Sequence, residues 1–205
     1  MVSALIIRLA KGRFILSFFI LFLAGCAVAP VPLKLELAPD WSELRQIDAW
    51  EMKGRVSFRQ GKEGWHGRVS WKSDAAMDRI KISGPIGQGA LVIRIREGVG
   101  EVTHADGRVE VVSDPAVLLE KELGIAVSIE ALRWWVRGLP SDDSPFEIIK
   151  GDEGVVGFRQ EGWLISQWDF RLDEGKVRPY RLKIQGEALV LKFVIDRWVK
   201  GVGNE

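Results

Sequence analysis

The chain has 205 residues, 47% of them hydrophobic, with 29 basic against 28 acidic side chains, nine tryptophans and one cysteine. That composition excludes a disordered chain and an internal disulfide, and the balanced charge gives no electrostatic reason to expect nucleic-acid binding. The length fits one domain, or at most a small pair, and is ample for one sizeable core.

Residues 1–25 carry Arg8, Lys11 and Arg13 as their only charges, followed by the apolar run from Phe14 to Leu23. A basic start, a hydrophobic stretch too short to span a bilayer comfortably and small residues beyond it predict a secretory signal. The run ends in Leu23-Ala24-Gly25-Cys26, which resembles the lipobox of bacterial lipoproteins. The resemblance implies cleavage before Cys26 and acylation of that cysteine, and Ala27 in place of aspartate implies sorting to the outer membrane. Several acyl chains give stable attachment where a single chain does not. The expected organisation is a cleaved signal at 1–25, a lipid-anchored tether at 26–38, rich in proline and small residues, and a single folded domain at 39–205.

Asp40 is placed to cap a helix on which Trp41, Leu44 and Ile47 recur at helical spacing, with Glu43, Arg45 and Asp48 facing away. Beyond it the period changes to two. Trp50, Met52, Val56 and Phe58 alternate with Glu51, Lys53, Arg55, Ser57 and Arg59, Gly54 being the neutral exception. Trp65, Val69 and Trp71 oppose His66, Arg68, Ser70 and Lys72; Ile80 and Ile82 oppose Arg79, Lys81 and Ser83; Leu91, Ile93 and Ile95 continue the pattern. Such alternation predicts antiparallel strands with one wet face. Turn signals fall at Gly61-Lys62-Glu63-Gly64 and at Asp106-Gly107, the latter a tight-hairpin pair between Val102/His104 and Val109/Val111.

Two helices interrupt the strands. Asp114-Pro115 starts the first, with apolar surface from Val117, Leu118 and Leu123 and a stop at Gly124. Ser128 caps the second, Ile129 to Arg137, with Ile129, Leu132, Trp135 and Val136 in one stripe, Arg133 and Arg137 off it, and Gly138 and Pro140 as stops. Strands return at Val156/Phe158, Trp163 to Phe170, Leu182/Ile184 and Leu189 to Trp198, the last pair joined by a two-residue turn at Gly186-Glu187. The expected fold class is mainly β with α: an antiparallel sheet of about eleven strands curled into an unclosed barrel, with helices as a lid on one side.

No catalytic constellation emerges. His66 sits among polar-face residues, and neither it nor His104 has a second ligand at i+4 or a cysteine partner, so no metal site is expected. Glu51 with Asp48 and the solvated-turn pair Asp142-Asp143 are weak acid–base candidates, and no phosphate or dinucleotide loop appears. No cofactor and no enzymatic activity are expected. The aromatic richness points instead to an apolar cavity under the lid, suited to acyl chains, on a face lined by Val56, Phe58, Val69, Trp71, Ile80, Ile82, Leu91 and Ile93. Leu132 and Trp135 from the second helix and Leu182, Ile184, Leu191 and Phe193 from the last strands complete the candidate lining. Ser83-Gly84-Pro85-Ile86-Gly87-Gln88-Gly89 builds a turn with Ile86 as its lone large hydrophobe. The residues leave two readings open: Ile86 tucked back onto the sheet, or an exposed apolar tip that touches a membrane or an acylated partner.

With the lipobox, the strand from Trp50 to Gly54-Arg55, the Gly84-Pro85-Ile86-Gly87 loop, Leu123-Gly124, the run Leu132-Arg133-Trp134-Trp135-Val136-Arg137-Gly138-Leu139-Pro140, Pro179 with Leu182, and the strand Leu191 to Trp198, the chain resembles the LolB family of outer-membrane lipoproteins over nearly its whole length. The resemblance implies an unclosed β-barrel with a helical lid over a hydrophobic cavity. It implies a receptor that accepts acylated lipoprotein cargo from a periplasmic, LolA-like carrier and inserts it into the outer membrane, acting as a monomer, lipid-anchored through Cys26 on the periplasmic face. The family's protruding leucine, used for membrane delivery, falls on Ile86, within Pro85-Ile86-Gly87; this favours the exposed tip. The alternative is a lipid-binding or structural envelope lipoprotein without transfer activity.

Overall fold

Period-two alternation is carried through into one sheet. The structure, a computed structural model, describes residues 40–200 apart from 75, 85–89, 124–126 and 152–154. The signal, Cys26 with its tether, the Pro85-Ile86-Gly87 tip and the Gly124 stop therefore lie outside the described residues. The strands are β1 (Trp50–Gln60), β2 (Glu63–Ser73), β3 (Met77–Ser83), β4 (Leu91–Arg96), β5 (Val99–Thr103), β6 (Val109–Val112), β7 (Phe146–Lys150), β8 (Val156–Gln160), β9 (Trp163–Asp173), β10 (Lys176–Gln185) and β11 (Leu189–Lys200). They form one eleven-stranded sheet in the order β6-β5-β4-β3-β2-β1-β11-β10-β9-β8-β7.

Every pairing is antiparallel, and the only neighbours not consecutive in sequence are the first and last strands, β1 and β11. Two meanders thus grow outward from a central β1–β11 seam and end in the edges β6 and β7, which do not pair with each other. The chain between those edges carries α2 (Pro115–Leu123) and α3 (Ile129–Trp135), while α1 (Trp41–Arg45) precedes the sheet.

Turn chemistry sets the register. Three hairpins close on a Glu-Gly pair with both residues at positive φ: Glu97-Gly98, Glu161-Gly162 and Glu174-Gly175. This is the type I′ backbone, whose twist matches that of paired strands. The β1–β2 turn is Gly61-Lys62, so Glu63 and Gly64 belong to β2. At the β5–β6 connection the amide of His104 donates to the Arg108 carbonyl at 2.9 Å, giving a three-residue tip with Gly107 at φ 85° where a two-residue turn was expected. The last hairpin closes at Gly186–Leu189, one residue later than the sequence pattern places it.

The inner face forms one hydrophobic cluster, drawn among the described residues entirely from between Trp41 and Trp198. Trp50 packs on Trp71 and Trp198, with ring centroids 5.4 and 5.9 Å apart. Gly54 stands where β11 takes an extra residue opposite the Lys53/Gly54 step, and a Cβ there would lie 2.3 Å from the Val194 carbonyl oxygen. The glycine that breaks the alternation therefore permits a bulge at the seam.

The first and third helices are shorter than expected, while α2 runs from Pro115 to Leu123 as the sequence predicts. Asp40 does cap α1, accepting from the Ser42 amide at 2.9 Å, but α1 ends at Arg45, and Ile47 packs onto the core from the following turn. Arg45 does not face away: it donates to the Pro140 carbonyl at 2.9 Å and pairs with Asp142. On α2, Val117 is exposed and Leu119 is the buried residue; the side chains of Leu118 and Leu123 lie outside the described set. Ser128 caps α3 through the Ala131 amide at 3.2 Å, and the helix stops at Trp135.

Candidate functional site: an apolar interior bridged by a short helix

All fourteen residues assigned to the interior from sequence come together. Val56, Phe58, Val69, Trp71, Ile80, Ile93, Leu132, Trp135, Leu182, Ile184, Leu191 and Phe193 are buried in the single cluster, and Ile82 and Leu91 are half-buried against it. The strands supply this face because most alternate residues on β1–β4 and β8–β11 are apolar, with Ser73, Asp78, Gln160, Gln167 and Arg178 as buried polar exceptions, and α3 supplies its cover through the Ile129/Leu132/Trp135/Val136 stripe. Trp135 and Val136 are completely buried.

The way α3 is held distinguishes this cover from an ordinary packed helix. On one side Arg133 reaches the β2–β3 hairpin: its guanidinium donates to Ser73 Oγ at 2.9 Å, to the Asp74 carbonyl at 2.8 Å and to Asp78 Oδ2 at 3.0 Å. Asp78 in turn accepts from the indole N–H of Trp71 at 2.9 Å, inside the barrel. Toward the other half of the sheet, Trp135 donates its indole N–H to Gln160 Oε1 on β8 at 2.8 Å. The amide of Gln160 donates to the carbonyls of Ser141 and Ser144 at 3.0 and 2.7 Å, and its oxygen also accepts from the Ser141 amide at 2.9 Å. A seven-residue helix thus bridges the β3 and β8 sides of the unclosed sheet with a polar tie to each.

The segment after α3 is equally fixed. Gly138 turns at φ 79° and a Cβ there would stand 2.2 Å from Gln167 Oε1, so only glycine fits. Gln167 donates to the Gly138 carbonyl at 2.9 Å, and Leu139 is fully buried. Arg137 is not the solvent-facing residue its place off the stripe suggests. It is 8% exposed, donates to the Leu44 carbonyl and lies over the Trp134 ring at 5.0 Å. Burial, aided by the neighbouring cations Arg178, Arg133 and Arg45, lowers its pKa to about 10. Arg178 is shifted down for the same first reason and lies 5.4 Å over the Trp198 ring.

The weak chemical candidates do not converge. His66 is exposed on β2, and His104 Nε2 stands 3.4 Å from Glu110 Oε1 at the rim of the β5–β6 hairpin. Asp142 pairs with Arg45, and Glu51 with Lys53 at 2.8 Å. Among the described residues no three His, Cys, Asp or Glu side chains come close enough to hold a metal ion.

Sequence reasoning missed Asp78 and Gln160, which with Ser73 are the polar side chains that receive α3. Each occupies an inward position on its strand, and the signal available was a lone polar residue in an otherwise apolar series: Asp78 before Ile80 and Ile82, and Gln160 after Phe158.

Residues 48–198 match the family described as outer membrane lipoprotein LolB. The chain belongs to the LolB family. It is 32% identical over 198 residues to the outer-membrane lipoprotein LolB of Pseudomonas fluorescens, covering 91% of this chain and 95% of that one. It is 34% identical over 185 residues to the LolB of Pseudomonas aeruginosa, covering 86% and 90%. Among solved structures, a LolA superfamily protein from Nitrosomonas europaea superposes with a TM-score of 0.52 at 10% identity, over 82% of this chain and 96% of that one. That likeness concerns the fold alone: an unclosed antiparallel sheet is shared between the LolA superfamily and this LolB family member.

Proposed function

We propose that this LolB family member is the outer-membrane receptor that takes acylated lipoproteins from a periplasmic carrier of LolA type, holds their acyl chains within its apolar interior and passes them to the outer membrane. One observation carries the reading: a continuous apolar face on an unclosed sheet, covered by a helix tied to each half through a few polar groups. A closed barrel with a permanently fused core offers no route inward, whereas a gap spanned by a short helix does. Transfer needs no covalent step. The acyl chain moves from the carrier to this interior and then to the bilayer, each step downhill toward a better apolar environment.

The anchor at Cys26 keeps the receptor at the periplasmic face of that membrane, and acylation there supports attachment that one chain alone would not sustain. The Pro85-Ile86-Gly87 tip is the group that enters the bilayer during delivery, with Ile86 in the role of the family's leucine.

The test is Ile86→Glu in the acylated protein. Carriage of a carboxylate into hydrocarbon costs about 2.5–3.5 kcal/mol, so insertion of cargo into liposomes falls by an order of magnitude or more while uptake from the carrier stays near that of the parent. Undiminished insertion would remove Ile86 from the mechanism. Loss of uptake as well would place the tip in carrier docking rather than in delivery.

A further inference from the structure

A groove lies outside the barrel, on the wet face of the sheet. It has a volume of about 680 Å³ and runs across β3, β2, β1 and β11. Its lining includes five cationic side chains, Lys53, Arg55, Arg68, Lys81 and Arg197, against the single carboxylate of Asp196. Asp196 is the partner of Arg55 at 3.3 Å, and both are more than half exposed, so solvent weakens the pair. Arg68, Lys81 and Arg197 take part in no ion pair among the described residues. An adjoining depression of about 410 Å³ continues past Arg55 and Arg68 to Lys192 and His66, with the apolar Val194 between the cations.

This concentration of charge does not follow from composition, since the whole chain is balanced. It arises because strand alternation sends the basic residues of four neighbouring strands to one side, in register: Arg68 faces Arg55 across β1–β2 and Ser83 across β2–β3. Lys53 is paired with Glu51 and Arg55 with Asp196, which leaves Arg68, Lys81 and Arg197 to give this face a net positive charge that complements phosphates, the groups a lipid surface presents.

We propose that this outer face is a docking surface for the phosphate-bearing headgroups of an anionic membrane, holding the domain in a defined orientation on the bilayer. The occupant follows from charge complementarity and from chain length. Between Cys26 and Asp40 the chain can extend to at most about 50 Å, so an anchored domain never leaves the reach of the headgroups. Ser83, the last residue of β3 before the loop that carries Ile86, lines the same groove, so docking this face brings the root of that loop to the bilayer. The proposal rests on the receptor reading only for the presence of a membrane; headgroup binding is measured without cargo or carrier.

The experiment is co-sedimentation of residues 27–205, which contain every described core contact, with vesicles of phosphatidylcholine and with vesicles in which one third is replaced by phosphatidylglycerol, at low and high salt. Binding to the anionic vesicles is expected to be at least tenfold tighter, to weaken sharply with salt, and to fall about tenfold in the triple variant Arg55→Gln, Arg68→Gln, Lys81→Gln. These positions are exposed, so the variant should retain its urea midpoint; a single Lys81→Gln variant, with a proportionately smaller loss, guards against misfolding of the triple. Equal binding to both vesicle types, or an unaffected triple variant, would overturn the proposal. So would a triple variant that keeps vesicle binding but loses its complex with the purified carrier, because the face would then be a protein-docking surface. Failure of these measurements leaves cargo transfer intact, and failure of transfer leaves them intact.

Discussion

Trp135→Ala is expected to cost about 3–5 kcal/mol of folding stability, the range for deleting a large buried aromatic. The indole is completely buried, packs 6.0 Å from the Trp163 ring and is tied to Gln160 Oε1 on β8. Its loss removes both the packing and the tie of α3 to that half of the sheet, while Gln160 keeps its other partners at Ser141 and Ser144. A urea titration followed by tryptophan fluorescence reads the loss. Trp135→Phe keeps most of the ring and forfeits the N–H, so it should cost about 1 kcal/mol beyond the change in packing. Equal losses in the two variants would assign the effect to the hydrogen bond alone and contradict the packing account.

Asp78→Ala is the second large effect, expected at about 3 kcal/mol. Its carboxylate is buried and serves two donors, the Trp71 indole and the Arg133 guanidinium. Removing one partner of a fully buried ion pair costs about 3–5 kcal/mol. The figure here is lower because the Arg133 side chain is 31% exposed and regains water. The double variant Asp78→Ala, Arg133→Met should recover part of the loss, since no unpaired guanidinium then remains against the inner face. Because α3 then keeps only the Ser73 and Asp74 ties to the β2–β3 hairpin, the single variant should also bind an apolar fluorescent dye more strongly than the parent at a urea concentration where both are folded. Additivity in the cycle would show that the two residues do not act as a pair.

These two variants probe the part of the molecule that is hardest to read from sequence. Alternation of apolar and charged residues on β1 to β4 places Trp50, Met52, Val56, Phe58, Val69, Trp71, Ile80 and Ile93 inside without ambiguity, because one slip in register would turn them all to solvent. The fourteen interior residues follow from that rule and from one helical stripe. The rule is silent about Asp78 and Gln160, since a polar residue in an inward series reads as noise until the structure supplies its donors. It misplaces Arg137 and Arg45, which solve a local problem: the carbonyls of Leu44 and Pro140 need donors, and a long guanidinium reaches them from a position that helical periodicity assigns to solvent.

The turns show the same division. Gly61-Lys62 and Asp106-Gly107 announce themselves, but Glu97-Gly98, Glu161-Gly162 and Glu174-Gly175 do not, because glutamate pays for positive φ and is no standard hairpin residue. The strain is tolerable where the paired strands on either side dictate the twist. The edge strand β7 is hard to read from sequence for another reason. Phe146 and Ile148 are exposed there, so its alternation does not mark an inner face. The basic outer groove was visible residue by residue, as the polar halves of four strands, and became a surface only once β11 was placed beside β1.

A receptor of this kind takes acyl chains from a carrier into its apolar interior. Residues 27–205 are mixed with purified LolA-type carrier loaded with a triacylated lipoprotein, and crosslinkers placed at Leu182 and Leu191 on the inner face report where the cargo resides. Transfer predicts cargo adducts at both positions and depletion of cargo from the carrier. Cargo remaining on the carrier, with the domain folded by its tryptophan fluorescence, would contradict the receptor account and leave an envelope lipoprotein with a closed core.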